Sequence, residues 1–158
     1  MKNIILGAKI TSFLTFLAFS FHATGSYYVY EYWSSLYFPR STYPSRGLFR
    51  NAQSCDQATS VFCILALCFG FLTVTTSIFR RTCFYTTVTM VTLSFLIQTV
   101  FSGLATGYWY EKDDYTSWLK TDSWQFAFIW TSVGLYFVAF LHVLISRWRN
   151  PIRKIVNQ

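Results

Sequence analysis

The side chains with the strongest chemistry in this sequence are two histidines and four cysteines, most of them inside long apolar stretches. The set is His22, His142, Cys55, Cys63, Cys68 and Cys83. Ionisable groups are costly to bury in a membrane span and mark functional sites by default. His22 falls near one end of the first apolar stretch and His142 near the opposite end of the last. We therefore expect two separate interfacial or hydrogen-bonded histidines that do not share a metal ion.

The cysteine spacing disfavours redox chemistry. No pair is spaced C-x-x-C, so a membrane thiol oxidoreductase is not indicated. Cys63 and Cys68 are expected as small packing residues, and Cys83, at the start of the third apolar stretch, is a candidate palmitoylation site. No nucleotide-binding loop, carboxylate pair or nucleophile with its base is recognisable. The sequence therefore predicts a protein that is not an enzyme and that needs no metal or cofactor.

Gln98 is the main strongly polar neutral residue within a span, and we expect it to hydrogen-bond across helices. A G-x-x-x-G pattern formed by Gly103 and Gly107 follows. It indicates either close helix approach or two glycines that loosen a helix end. Threonines of the same segment are expected to bond to their own helix backbone. These threonines are Thr86, Thr87, Thr89, Thr92, Thr99 and Thr106.

The elements that position these residues are predicted by charge-free runs. The chain is 53% hydrophobic and 12% charged, whereas soluble domains carry about 25% charged residues. Four runs lack Asp, Glu, Lys and Arg, and each can supply the roughly 20 residues of a spanning helix. They predict one domain of four transmembrane helices at about 5–29, 58–79, 84–107 and 125–146, with loops at about 30–57 and 108–124. Within the first loop, SSLYF (34–38) indicates a short strand.

Charge placement predicts the orientation. Eight basic residues and no acidic ones flank the spans on one side: Lys2, Lys9, Arg80, Arg81, Arg147, Arg149, Arg153 and Lys154. All six acidic residues lie on the other side, with five basic ones. Both termini are therefore expected to be cytoplasmic and both loops extracellular or lumenal.

The pI of about 9.4 then reflects topology rather than nucleic-acid binding, although 147–154 could also contact anionic lipid. The first span exceeds a signal-peptide core in length, which favours a retained helix.

The order of motifs resembles a known family. Trp33, then Gly47-Leu48-Phe49, then Cys55 follow one another in the first loop. Further matches are DQATSVFCILAL (56–67), RTCFYTTV (81–88) and DSWQFAFIWTSV (122–133). Together they resemble the superfamily of claudins, epithelial membrane proteins and peripheral myelin proteins over nearly the whole chain. The family's loop carries a Trp, then Gly-Leu-Trp, then two cysteines, so Phe49 and the single cysteine depart from it.

The resemblance implies an all-α membrane four-helix bundle with a small extracellular antiparallel β-sheet. Residues 46–55 would belong to that sheet, with Leu48 and Phe49 anchored at the membrane surface; the alternative is an ordered loop with ordinary packing residues. A Cys55–Cys63 bond would require the second helix to start later than its apolar run. Cys55 is accordingly expected to be free or to pair with another chain.

The resemblance also implies two functions. The first, favoured by the matches to the myelin and epithelial branch, is organisation of cell-cell contacts or of a paracellular barrier at the plasma membrane. In a paracellular path Arg40, Arg46 and Arg50 would favour anions. The alternative is an auxiliary subunit of an ion channel or receptor, with Gln98, Gly103 and Gly107 as the contact face. Membrane lipid and other membrane proteins, including further copies of this chain, are the expected partners; nucleic acid and small-molecule substrates are not.

Overall fold

A computed structural model describes the backbone of residues 2–36, 46–110 and 124–149, and the side chains of 4–28, 51–106 and 127–146. The described backbone forms four helices, α1 (Lys2–Leu36), α2 (Arg46–Thr75), α3 (Arg80–Tyr110) and α4 (Trp124–Arg149). Each contains a segment long and apolar enough to cross a membrane: Ile4–Tyr28, Asn51–Thr75, Arg80–Thr106 and Ala127–Ser146. The prediction of four membrane-spanning helices is confirmed at this level.

The bundle consists of two helix pairs. α2 packs mainly on α3, and α1 packs mainly on α4, while the contacts of α1 with α2 and of α3 with α4 are fewer. Successive helices run antiparallel. The end at which α1 stops and α2 starts is called the long-loop end, and the end of the α2–α3 connection is called the tight-turn end.

The turn between α2 and α3 covers 76–79, immediately before the two arginines. Arg80 reaches back over it, and its Nε donates to the carbonyl of Thr73 at 3.1 Å. A cation at a helix C-terminus satisfies an orphan carbonyl and interacts favourably with the helix dipole. The hairpin expected from the Arg80-Arg81 pair is formed, and Arg80 itself closes the end of α2.

Buried positions recur every three or four residues along each helix. On α2 the buried series is Ala52, Thr59, Cys63, Ala66, Gly70 and Thr73. On α4 it is Ile129, Ser132, Tyr136, Ala139 and Val143. A repeat of three and four residues is the pattern of left-handed helix packing with interlocking side chains. The interior is therefore a stack of layers, each built from one residue of each contributing helix.

Most residues in those layers are small or polar, with a few large side chains such as Ile129 and Tyr136 among them, whereas many large apolar side chains point outward. Phe13 is 65% exposed, Phe71 is 67% exposed and Ile78 is 85% exposed. In water this arrangement would expose a large apolar surface, but lipid tails are as apolar as these side chains. Small residues inside allow close helix approach, which is how helices associate when the hydrophobic effect between them is absent.

The helix ends differ from the prediction around the first loop. Residues 30–36 continue α1 and 46–57 belong to α2, so the predicted loop at 30–57 is too long. The strand predicted at 34–38 is wrong for 34–36, which are helical. Both segments are polar or aromatic, and an apolar run cannot reveal a helix that continues into water. No strand occurs among the described residues, and 37–45 and 111–123, which the predicted sheet would also need, lie outside them.

Candidate functional site

A buried cluster near the long-loop end brings an imidazole and a carboxylate together. His22 is 1% exposed, and its Nε2 lies 3.1 Å from Oδ1 of Asp56. The same ring nitrogen lies 3.3 Å from the hydroxyl of Ser60. Ser26 donates to Oδ1 of Asp56 at 2.6 Å. A charged side chain within a membrane bundle needs such partners, because leaving it unpaired is expensive.

Helix geometry explains why these residues meet. Ser26 and His22 are one turn apart on the inward face of α1, and Asp56 and Ser60 are one turn apart on α2. Asp56 falls within the repeat of three and four residues between Ala52 and Thr59. The sequence interpretation placed Asp56 outside the spans and left His22 without this partner. The missed signal was the regular spacing of small residues, which runs through Asp56 into the apolar part of the helix.

Aromatic rings enclose the histidine. The ring of Phe101 contacts it edge-on, with centroids 5.8 Å apart, and the ring of Phe19 lies at 6.2 Å. The Asp56 side chain is 14% exposed, so the cluster reaches the surface of the bundle through this residue. The expectation that His22 is hydrogen-bonded is confirmed.

Ser60, His22 and Asp56 share residue types with hydrolase triads, but their geometry differs. In a triad the serine and the carboxylate engage opposite nitrogens of the imidazole. Here both Ser60 and Asp56 approach Nε2. The arrangement is therefore a set of hydrogen bonds that joins α1 to α2, and its geometry is not the one that activates a serine.

The layer beneath the cluster contains Gln98, which is fully buried. Its Nε2 donates to the hydroxyl of Ser132 on α4 at 2.9 Å. Ser132 in turn donates to the carbonyl of Ile129 at 2.6 Å. The expected interhelical bond of Gln98 is confirmed, and it joins α3 to α4.

The next layer combines Cys63, Tyr136 and Thr15. Cys63 and Tyr136 pack together with Ala18 and are fully buried. The Cys63 thiol donates a long hydrogen bond of 3.8 Å to the carbonyl of Thr15. The tyrosine thus crosses the middle of the bundle from α4 towards α2.

The second histidine lies towards the tight-turn end. Nδ1 of His142 is 3.1 Å from the hydroxyl of Thr11. Thr11 and His22 are separated along α1 by about 16 Å at the helical rise per residue. The structure therefore keeps the two histidines in different layers. Within the described residues no group of three or more His, Cys, Asp or Glu side chains could hold a metal ion.

The cysteines are all free, and Cys55 is half-buried. Cys63 is buried as expected, whereas Cys68 is exposed, so the expectation that Cys68 packs within the bundle is wrong. Cys55 and Cys63 lie on one continuous helix, about 12 Å apart along its axis. A disulfide needs Cα atoms within about 7 Å, so helix geometry excludes the bridge between these two. Cys83 is 8% exposed and packs inside the bundle.

The remaining residues predicted as sites fall mostly outside the described side chains. Gly47, Leu48, Phe49, Arg46 and Arg50 lie in the first turns of α2, and Trp33 lies in α1. Nothing is described of their side chains, and Arg40 is outside the described residues altogether.

The predicted contact face on α3 is not one surface. Gln98 is fully buried, whereas Gly103 is exposed. A Cβ added at Gly103 would meet nothing within 4 Å. Gly107 continues the helix one turn later, and its surroundings lie outside the described side chains. Gln98 therefore belongs to the bundle interior, and an outward contact would involve the glycines alone.

All six predicted threonine hydroxyls donate to the carbonyl four residues earlier, as expected.

Comparisons with protein-family models, curated proteins and solved structures give no match to this chain. The class of protein is therefore defined by the helices themselves. Four apolar helices of spanning length, with many large apolar side chains exposed on the outside of the bundle, define an integral membrane protein with four spans. The structure adds a polar interior centred on His22 and Asp56.

Proposed function

We propose that this protein is a non-enzymatic, claudin-like or peripheral-myelin-like membrane protein that organises cell-cell contacts or a paracellular barrier. The observation that carries the proposal is the one-sided extension of the bundle. At the long-loop end α1 runs past Glu31 to Leu36, and α2 starts at Arg46, before Arg50, so both helices continue as charged segments beyond the roughly 20 apolar residues that cross the hydrocarbon core. At the opposite end only 76–79 separate α2 from α3.

The distribution of charge also supports an outer side at the long-loop end. The long-loop end carries every acidic residue of the chain, and the tight-turn end carries only basic ones. The proposed orientation therefore puts the tight-turn end and both termini in the cytoplasm and the long-loop end outside. A protein built this way presents most of its water-exposed chain on the outer side, at the plasma membrane.

The extracellular β-sheet belongs to the proposal. Because α2 begins at Arg46, such a sheet would use 37–45 and 111–123 rather than 46–57. The apolar anchor assigned to Leu48 and Phe49 would then act from the first turn of a helix at the membrane surface, where aromatic side chains are stable.

Imaging in mixed cultures tests the proposal. Cells that form few contacts would express a tagged copy, and expressing cells would be mixed with non-expressing ones. Enrichment where two expressing cells touch, and not where an expressing cell touches a non-expressing one, is the expected result. A uniform distribution at the cell surface would contradict self-recognition between neighbouring cells.

Ion selectivity tests the barrier form of the proposal. Replacing Arg40, Arg46 and Arg50 by Gln should shift the paracellular preference of a cell layer towards cations. Lys112 and Lys120 provide a control, because they are basic residues of the other connection at the same end. Unchanged selectivity in the triple variant, with the protein at the contacts, would remove these arginines from the ion path.

The exposed glycines favour a second candidate, an auxiliary subunit of a channel or receptor. A Cβ at Gly103 on α3 or at Gly134 on α4 would meet nothing within 4 Å, so a partner helix could approach either helix closely. In a complex purified with an identified channel, Gly103→Leu should cause dissociation if α3 is the contact. Gly134→Leu is the matched control on α4. A complex that survives both replacements would exclude these faces.

A further inference from the structure

Several fully buried side chains between the long-loop end and the middle of the bundle have a polar atom with no hydrogen-bond partner within the described residues. These atoms include Nδ1 of His22, Oε1 of Gln98 and the hydroxyls of Thr15 and Ser94. The exposed fraction of each of these side chains is 1% or less. The hydroxyl of Ser12, further towards the tight-turn end, also has none, but its side chain is only half-buried. Leaving one buried polar group unsatisfied costs about 1–3 kcal/mol. Four such groups in one half of a small bundle therefore require an explanation.

The two hydroxyls show that the pattern is not a general property of this chain. Thr59, Thr73 and Thr87 are equally buried, and each donates to the carbonyl four residues earlier. Thr15 and Ser94 have the same helical surroundings and do not make this bond. Their hydroxyls are therefore available to a partner inside the bundle.

The unpartnered atoms lie in successive layers. His22 and Phe101 form the first layer, Gln98 lies one turn along α3 from Phe101, and Ser94 lies one turn further. Tyr136 lies one turn from Ser132, the partner of Gln98. Its hydroxyl is next to the Cys63 thiol, a weak acceptor, and has no properly formed hydrogen bond within the described side chains. The atoms thus follow the bundle axis rather than forming isolated defects.

The two ends of this series differ. At one end is Asp56, whose side chain is partly exposed. At the other end Ala66, Val91 and Ala139 form an apolar cluster, with Leu14 and Phe140 packed against it. The series is therefore open to water near the long-loop end and closed by apolar side chains near the middle of the spans.

We propose that this half of the bundle is a binding site for a file of ordered water molecules. The file begins beside Asp56, joins Nδ1 of His22 to Oε1 of Gln98, and ends at the hydroxyls of Tyr136, Thr15 and Ser94. Water fits this set because it needs two to four polar partners and can both donate and accept. A metal ion fits less well, because the set contains one carboxylate, already bonded to Ser26 and His22, and mostly neutral groups.

The file gives the His22–Asp56 pair a route for proton exchange with water although His22 is buried. It also places water beside Tyr136 near the middle of the membrane. Neither consequence depends on whether the protein acts at cell contacts or with a channel.

Two measurements on the full chain in lipid bilayers test the proposal. In solid-state NMR, magnetisation transferred from water should reach the Tyr136 and Thr15 side chains faster than it reaches the Thr87 side chain. In reversible unfolding, Thr15→Val should lower the folding equilibrium constant about threefold to tenfold, the value of one hydrogen bond. Thr87→Val is the matched control, because its hydroxyl is buried but bonded to its own helix, and its change should be smaller.

Either of two results would overturn the proposal. One is the absence of water transfer to Tyr136 and Thr15 in the folded protein. The other is a folding equilibrium constant that stays equal or rises in Thr15→Val, because removing a dry, unpaired hydroxyl relieves a cost rather than breaking a bond.

Discussion

Gly25 marks a close approach between α1 and α4, and its replacement by Ala gives a prediction that can be worked from distances. A Cβ at this position would lie 2.8 Å from Cγ1 of Ile129 and 3.1 Å from its backbone nitrogen. It would also lie 3.2 Å from Cβ of Phe128. Carbon atoms pack at about 3.5–4.0 Å. Because a backbone atom cannot rotate away, α1 and α4 must separate at this layer.

The magnitude is a balance of two effects. Adding a methyl group to a tightly packed interior costs about 1–3 kcal/mol. Replacing Gly by Ala within a helix returns about 0.5–1 kcal/mol. Gly25→Ala should therefore lower the free energy of unfolding by about 1–2 kcal/mol. Gly134 on α4 is the control, because an added Cβ there meets nothing within 4 Å. Gly134→Ala should leave stability unchanged or raise it.

The assay is reversible unfolding in mixed micelles, in which an increasing fraction of denaturing detergent is followed by far-ultraviolet circular dichroism. Gly25→Ala should unfold at a lower detergent fraction than Gly134→Ala, with the unchanged protein between them or close to the latter. Equal midpoints for the two variants would refute the close packing of α1 on α4 at this layer.

Three further predictions concern the polar interior and the thiols. Asp56→Ala should lower the free energy of unfolding by about 1–2 kcal/mol, because His22 loses its buried partner; an unchanged value in the same assay would contradict the pair. Gln98→Leu should lower the free energy of unfolding by about 0.6 kcal/mol and by at most about 1.7 kcal/mol, the range for polar bonds between membrane helices. If Gln98→Leu lowers it equally in a protein that already carries Ser132→Ala, the bond between the two side chains is contradicted. Cys55→Ser should leave non-reducing electrophoretic mobility unchanged, and loss of a slower band would reveal a disulfide to another chain.

The number of spans was predictable because lipid imposes a simple rule on sequence. A helix that crosses the hydrocarbon core must hold about 20 apolar residues without charge, and each of the four charge-free runs falls largely within a helix. The bond of Gln98 was predictable for a related reason, since a lone amide within a span must find a partner. Both inferences use the cost of leaving polar groups in lipid.

The ends of α1 and α2 were not predictable by that rule. Outside the hydrocarbon core a helix needs no continuous apolar run, and 30–36 and 46–50 contain none. The predicted loop at 30–57 also included Asp56, which the structure places in α2. A carboxylate at the edge of a charge-free run indicates the end of a span, whereas the structure places Asp56 within the bundle, where it bonds to His22 and Ser26.

The polar bonds are concentrated where the two helix pairs meet. His22–Asp56 and Ser26–Asp56 join α1 to α2, and Gln98–Ser132 joins α3 to α4. The helices of these two contacts, α1 with α2 and α3 with α4, pack less extensively than α2 with α3 or α1 with α4. Close packing of small residues therefore holds each pair together, and directional bonds fix one pair against the other. α1 and α2 flank 37–45, so a force on that connection would be transmitted to the two helices that the bonds of Asp56 join. The proposed contact surface and the proposed water file thus both adjoin the junction of α1 and α2 at the long-loop end.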